Sequence, residues 1–239
     1  MPCMVSRQAG RSIIQLDHQY GFYILSTEAL NVRVWVLAAL IAMLSATAGV
    51  TLWQLTQAKQ TPRFSAMTVL PEPRVIDDFA LEDQRGRLFS LDDLQGNWTL
   101  MFFGFTHCPD VCPSTLYEIQ NVKEQIQQQA DDDILTPRVV FVSIDPERDS
   151  SDKMAQYLSY FDPDFIGITG PHEQLLPFTR QIGIAYRIED HAAGDEYYSV
   201  DHSSGIMVLN PSGQLKGVFT SPHRAEVIAE DMLKILENS

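Results

Sequence analysis

The amino-acid sequence predicts a mixed α/β domain whose sheet carries helices on both faces, preceded by one N-terminal transmembrane helix. Three observations lead there. Continuous apolar runs of strand length alternate with stretches of helical period through the middle of the chain. A turn sequence, Asn210-Pro211-Ser212-Gly213, joins two later apolar runs as a hairpin. Far upstream, Val34 to Ala58 contains no charged residue.

The uncharged stretch is the first element. A helix of about 20 residues spans about 30 Å, the hydrocarbon thickness of a bilayer. Val34 to Trp53 is predominantly apolar, and Trp35 and Trp53 bracket it as interfacial aromatics do. Residues 34–54 are therefore expected to form a membrane anchor. Residues 1–33 are an N-terminal segment in which Arg7, Arg11 and Arg33 outnumber Asp17 and Glu28, a bias toward the cytoplasmic side. The apolar run is longer than the ~7–15 residues of a signal-peptide core and begins late. Ala46-Thr47-Ala48 resembles a cleavage site and keeps cleavage as the alternative. Residues 55–74, with Pro62, Pro71 and Pro73, read as an extended linker, and residues 75–239 as the folded domain.

Within that domain, Phe79 to Leu81 and Leu88 to Ser90 flank a turn at Asp83-Gln84-Arg85-Gly86, a hairpin signal. Ser90 is placed to cap a short turn through Leu94. Trp98 to Phe103 is a continuous apolar run suited to a central strand buried on both faces. Pro113 to Ala130 reads as a helix, with Leu116, Ile119, Val122 and Ile126 on one face. Strand, helix and strand follow at Val139–Ile144, Ser151–Phe161 and Phe165–Thr169. A helix over Glu173–Ile182 meets Pro177, and Ala185–Ile188 is another strand. Glu189 to Ser199 is charged and reads as an exposed insertion. Ile206–Leu209 and Leu215–Phe219 form the late hairpin, and Arg224–Leu236 the last helix.

The chain of 239 residues has ample apolar material for one core. Residues 60–239 carry 29 acidic and 13 basic side chains. Such a surface is a poor match for nucleic acid or anionic lipid and favours cations or basic partners.

The chemistry concentrates at Cys108 and Cys112, in the run Gly104-Phe105-Thr106-His107-Cys108-Pro109-Asp110-Val111-Cys112-Pro113. Two sulfurs between a buried strand and a helix start form a redox couple, a metal clamp, or both. Pro113 suits a first helical position and places Cys112 at the cap. Unpaired N–H groups there favour thiolate character. Three intervening residues leave room for an ion without forbidding a disulfide. A purely stabilising disulfide would close a tiny loop for little gain.

Two sulfurs are an incomplete site for most metals. His107, His172, His191, His202 and His223 are the histidines beyond the linker. His202 is the preferred third ligand, because the loop before its apolar strand faces the loop after the central strand in a sheet of this kind. Two thiolates and one imidazole suit Cu(I). Zinc would want a fourth ligand, for which Asp110 or His107 is available.

With these residues in view, the sequence resembles the Sco/SenC family of membrane-anchored copper-delivery proteins. The likeness rests on the cysteine run above and on Ser143-Ile144-Asp145-Pro146-Glu147-Arg148-Asp149, Gly167-Ile168-Thr169-Gly170 and Val200-Asp201-His202-Ser203, with the Asn210 turn in addition. It spans roughly Phe79 to Leu236. The resemblance implies a thioredoxin-like fold and copper held by Cys108, Cys112 and His202. It implies a copper chaperone fed by an upstream copper donor and serving the binuclear copper site of cytochrome c oxidase subunit 2. Delivery of copper and reduction of that subunit's cysteines are both roles it allows. It implies a single-pass protein of the bacterial inner membrane with the domain in the periplasm. Asp145 and Asp149 read as loop-shaping residues.

Two other readings compete. A periplasmic thiol–disulfide oxidoreductase would use Cys108 and Cys112 as its redox pair, although the place of a thioredoxin's cis-proline holds Asp201-His202 here. A peroxiredoxin-like peroxidase needs an upstream proline and a threonine three residues before its cysteine; Thr106 lies two before Cys108.

Overall fold

The computed structural model describes residues 19–57, 63–129, 135–192 and 194–237. Much of the N-terminal segment, including Cys3, and linker residues 58–62 lie outside them. The chain divides into two compact units, Met1–Thr61 and Pro62–Ser239. The first contains helix α1, Gln19–Gln57. Its portion Val32–Gln54 is long and apolar enough to cross a membrane, and none of it is buried by protein. Helical structure thus begins well upstream of the apolar run.

The second unit is built on an eight-stranded mixed sheet. Strands β1 (Met67–Arg74), β2 (Ala80–Asp83) and β3 (Leu88–Ser90) come first, followed by the short helix α2 (Leu91–Leu94). Ser90 is the N-cap residue of α2, as predicted, and the Asp93 carboxylate accepts its N–H at 2.8 Å. The centre is β4 (Thr99–Gly104), β5 (Arg138–Ser143) and β6 (Ile166–Thr169), paired in parallel. Every residue of β4 is buried, as its uninterrupted apolar sequence demands. Helices α3 (Val111–Gln129), α4 (Ser151–Ser159) and α5 (His172–Ile182) connect these strands onward. A separate two-stranded ribbon, β7 (Tyr186–Ile188) with β8 (Val200–His202), precedes β9 (Ile206–Leu209), β10 (Leu215–Phe219) and α6 (Ala225–Leu236). The sheet order is β1-β10-β9-β4-β5-β6-β2-β3.

Two cores sandwich the sheet. Leu116, Ile119 and Val122 of α3 pack with Ile228 and Met232 of α6 on one face. Leu175, Phe178 and Ile182 of α5 pack with Leu81 and Phe89 on the other. Helices on both faces are therefore present as predicted.

The linker reading needs correction. Residues 55–74 read from sequence as an extended linker, yet Met67–Arg74 is a strand pairing antiparallel with β10. Pro71 and Pro73 obscure it in sequence. They are tolerated because β1 is an edge strand, and the register shifts between Val69 and Arg74. The strand is anchored by a distant residue. Asp231 of α6, with its side chain fully buried, accepts the backbone N–H groups of Ser65, Ala66 and Met67 at 2.7–3.0 Å.

Candidate metal centre

The central strand delivers the chain to the site. Gly104 ends β4, and a β-carbon there would lie 2.7 Å from Cys112 Sγ and 3.0 Å from Phe141 Cε2. Only hydrogen leaves room for the thiol. Helix α3 then starts at Val111, two residues before the predicted Pro113. The Asp110 carbonyl already accepts the Ser114 N–H at 3.2 Å, and the Ser114 hydroxyl at 2.6 Å. Cys112 accordingly lies in the first turn, not at the cap. Pro113 still costs nothing there, because N–H groups of a first turn have no helical partner.

Cys112 is fully buried, whereas Cys108 is half-buried, and both are free thiols. The Cys112 N–H points at Cys108 Sγ, 3.4 Å away. Burial pushes the Cys112 thiol far above the ordinary cysteine range; hydrogen bonding at the Phe105 backbone opposes this, and Cys108 and the Asp149 carboxylate add to it. The helix start favours thiolate character at one or both sulfurs; at Cys112 desolvation works against it. A metal cation taking this sulfur must displace its proton.

His202 is the third member. It is the last residue of strand β8, not a loop residue, and faces Tyr186 in the ribbon. Its Nδ1–H donates to the Ser203 carbonyl at 3.0 Å, since a carbonyl can only accept. Nε2 faces Cys112 Sγ at 3.6 Å and is the ring nitrogen whose lone pair, in the neutral imidazole, a metal would take. The sulfurs of Cys108 and Cys112 and a ring nitrogen of His202 lie within 4.8 Å of one another. Among the described residues no other group of three metal-binding side chains converges in this way. The site opens into a cleft of about 520 Å³ lined by His107, Cys108, Val111, Tyr198, Asp201 and His202.

The other histidines are employed elsewhere. His107 Nδ1 lies 3.2 Å from Thr106 Oγ1 and 3.6 Å from Asp149 Oδ1. His172 pairs with the Tyr186 hydroxyl, and His191 with Glu147. His223 Nε2 donates to the Ser204 carbonyl at 2.7 Å, just beyond His202. Neither His107 nor Asp110 joins the cluster, so among the described residues a closed tetrahedral zinc site has no fourth protein ligand.

The loop after β5 shapes the site. Asp149 is buried and accepts the Thr106 N–H at 2.8 Å, the Thr106 hydroxyl at 2.5 Å and the Ser143 hydroxyl at 2.6 Å. It thereby fixes the backbone entering the cysteine loop. Asp145, also buried, accepts the Tyr198 hydroxyl at 2.6 Å and pairs with Arg148. The insertion after β7 is thus fastened at Tyr198, while Tyr197 beside it is fully exposed. Gly104 and Arg148 stand in the quoted sequence runs without a role of their own, and Tyr198 stands in none of them. A glycine closing an apolar strand just before the cysteine run is the sequence signal for the first; no local signal assigns a role to the other two.

Comparison with known proteins follows the same lines. A family profile described as SCO1/SenC matches residues 67–237, starting at β1. A Stutzerimonas stutzeri protein named for copper binding is 35% identical over 170 residues, covering 71% of this chain and 81% of that protein. The mouse mitochondrial SCO2 homolog is 38% identical over 159 residues, covering 65% of this chain and 60% of its own length. The crystal structure of Arabidopsis thaliana ScoI with copper bound has a TM-score of 0.63 at 28% identity, covering 69% of this chain and 99% of that one. Profile, sequence relatives and structural neighbour converge on one assignment: this chain belongs to the SCO1/SenC family.

Proposed function

We propose that Cys108, Cys112 and His202 hold one copper ion, as Cu(I), and that the ion is cargo to be delivered. The observation carrying this is the convergence of two sulfurs and one imidazole nitrogen within 4.8 Å at the wall of an open cleft. Soft sulfur selects Cu(I), and three-coordinate geometry suits it. The Arabidopsis neighbour was crystallised with copper bound, and the Stutzerimonas relative is named for copper binding. A three-ligand site open on one side lets an incoming thiolate enter before a resident ligand leaves. A closed tetrahedron would resist that exchange.

The Sco/SenC resemblance implies copper delivery to cytochrome c oxidase. We read the recipient here as the binuclear copper site of subunit 2, and the source as an upstream copper donor. The apolar helix is compatible with a membrane anchor. Residues 34–54 would cross the bacterial inner membrane, with residues 1–33 cytoplasmic and the domain, now beginning at Met67, in the periplasm.

The test is a competition for Cu(I) between a chromogenic chelator and the reduced full-length chain in detergent. One equivalent binds, and His202→Ala weakens binding at least ~100-fold, more than the ~10–100-fold typical of losing an outer-shell partner. Unchanged affinity in that variant removes His202 from the site.

The paired free thiols also favour a second reading, reduction of the recipient's cysteines. The half-exposed Cys108 thiolate would attack a target disulfide and release one target thiol. Cys112 would then displace the second, leaving a Cys108–Cys112 disulfide and a reduced target. Cys112→Ser should accumulate the Cys108 mixed disulfide, whereas His202→Ala should leave exchange intact. No trapped adduct with the oxidised recipient would count against this role.

A further inference from the structure

His202 stands on a ribbon that is not part of the main sheet. A two-stranded ribbon alone is marginally stable in water. Something must fix it against the cysteine loop if its imidazole is to meet both sulfurs. A continuous column of rings reaches from the insertion to that imidazole. His191 stacks on Tyr198 with ring centres 3.6 Å apart and planes inclined by 9°. The Arg148 guanidinium lies over Tyr198, 3.6 Å from the ring centre, and so must occupy the opposite face. The same guanidinium is 5.3 Å from the centre of Phe105. Phe105 in turn meets the His202 ring edge-on, at 6.0 Å and 85°.

Arg148 is the keystone of this column. Its Nε donates to Asp145 of its own loop. Its Nη1 donates to the carbonyls of Glu196 and Tyr198 in the insertion, at 3.2 and 3.0 Å. Asp145 closes the circuit by accepting the Tyr198 hydroxyl. A planar guanidinium can fork to a carboxylate and carbonyls while stacking on aromatic faces; an ammonium cannot. Both Arg148 and Asp145 are buried, so solvent does not loosen the arrangement.

We propose that Arg148 is a positioning residue for His202, holding the β7–β8 ribbon and Phe105 in the arrangement that brings the imidazole to the two sulfurs. This rests on the reading of His202 as a copper ligand. Arg148 touches no metal donor itself and acts through the column.

A double-mutant cycle tests it, using Cu(I) competition on the reduced full-length chain in detergent. Arg148→Ala should weaken Cu(I) binding about tenfold, the scale of outer-shell losses. In the His202→Ala background the same substitution should cost nothing further. X-ray absorption at the copper edge should show the nitrogen scatterer lost from Arg148→Ala with both sulfurs retained. An equal loss in both backgrounds would mean general damage to the cleft and overturn the proposal. So would wild-type affinity in Arg148→Ala when His202→Ala is weakened. If His202→Ala itself is unchanged, the ligand reading fails first and the positioning role falls with it. Should Arg148→Ala not fold, Tyr198→Leu enters the same cycle, because it removes the stack and leaves the Arg148–Asp145 pair in place.

Discussion

Asp231→Ala is expected to lower the unfolding free energy by about 3 kcal/mol, at about 1 kcal/mol for each backbone donor left without its acceptor. The carboxylate has no exposed side-chain surface and serves three consecutive backbone N–H groups, those of Ser65, Ala66 and Met67, as well as Lys234. Alanine leaves those donors unpaired where β1 joins the sheet. Burial alone would raise this carboxyl, but the N–H groups of Ala66, Ser65 and Met67 together with Lys234 hold it below the ordinary aspartate value. The sign of the pH dependence follows. A carboxyl with a depressed folded pKa contributes stability that is fully present above its unfolded pKa, about 3.9, and lost as pH falls through the lower folded value. The gap between wild type and Asp231→Ala should therefore be largest near neutrality and shrink in acid. Urea unfolding of the full-length chain at about pH 7 and about pH 3 measures it. An equal gap at both values would mean that the charge is not what stabilises the junction.

Gly104→Ala should damage the fold and the metal centre together. The new methyl would lie 2.7 Å from Cys112 Sγ and 3.0 Å from the Phe141 ring, both buried without slack. Overpacking of this kind costs about 1–3 kcal/mol, and the Phe141 ring is locked in the core. The thiol is the smaller obstacle, so it should move. Displacing it draws Cys112 from His202, now 3.6 Å apart. Cu(I) affinity should fall about 100-fold, at the top of the range for outer-shell effects. Chelator competition and thermal unfolding of the same sample separate the two consequences. A variant that keeps wild-type copper affinity would show that Cys112 has more freedom than its packing indicates.

Local patterns were easiest to read. The strand β4 and helix α3 announce themselves by an unbroken apolar run and by a 3-3-4 spacing, because burial on two faces and on one face leave different periods. The Ser90 cap and the Asn210 turn were legible for the same reason: their hydrogen bonds close within a few residues. Strand β1 was hidden, because its partner β10 lies far along the chain and two prolines mimic a linker. Helix α3 starts two residues before the proline that marks it in sequence, since a carbonyl at Asp110 opens the helix.

Sequence alone settled which atoms are available for chemistry: two soft sulfurs at a strand–helix junction and an imidazole before a later strand. Side-chain identity and local spacing determine ligand softness, and neither depends on the fold. Whether those atoms meet was another matter. His202 follows Cys112 by 90 positions, and its approach to 3.6 Å depends on β9 pairing beside β4 and on the Arg148 column gripping a detached ribbon. Contacts between residues so far apart leave no periodic trace in the chain, because they are selected by packing and by closing long loops, not by neighbouring residues.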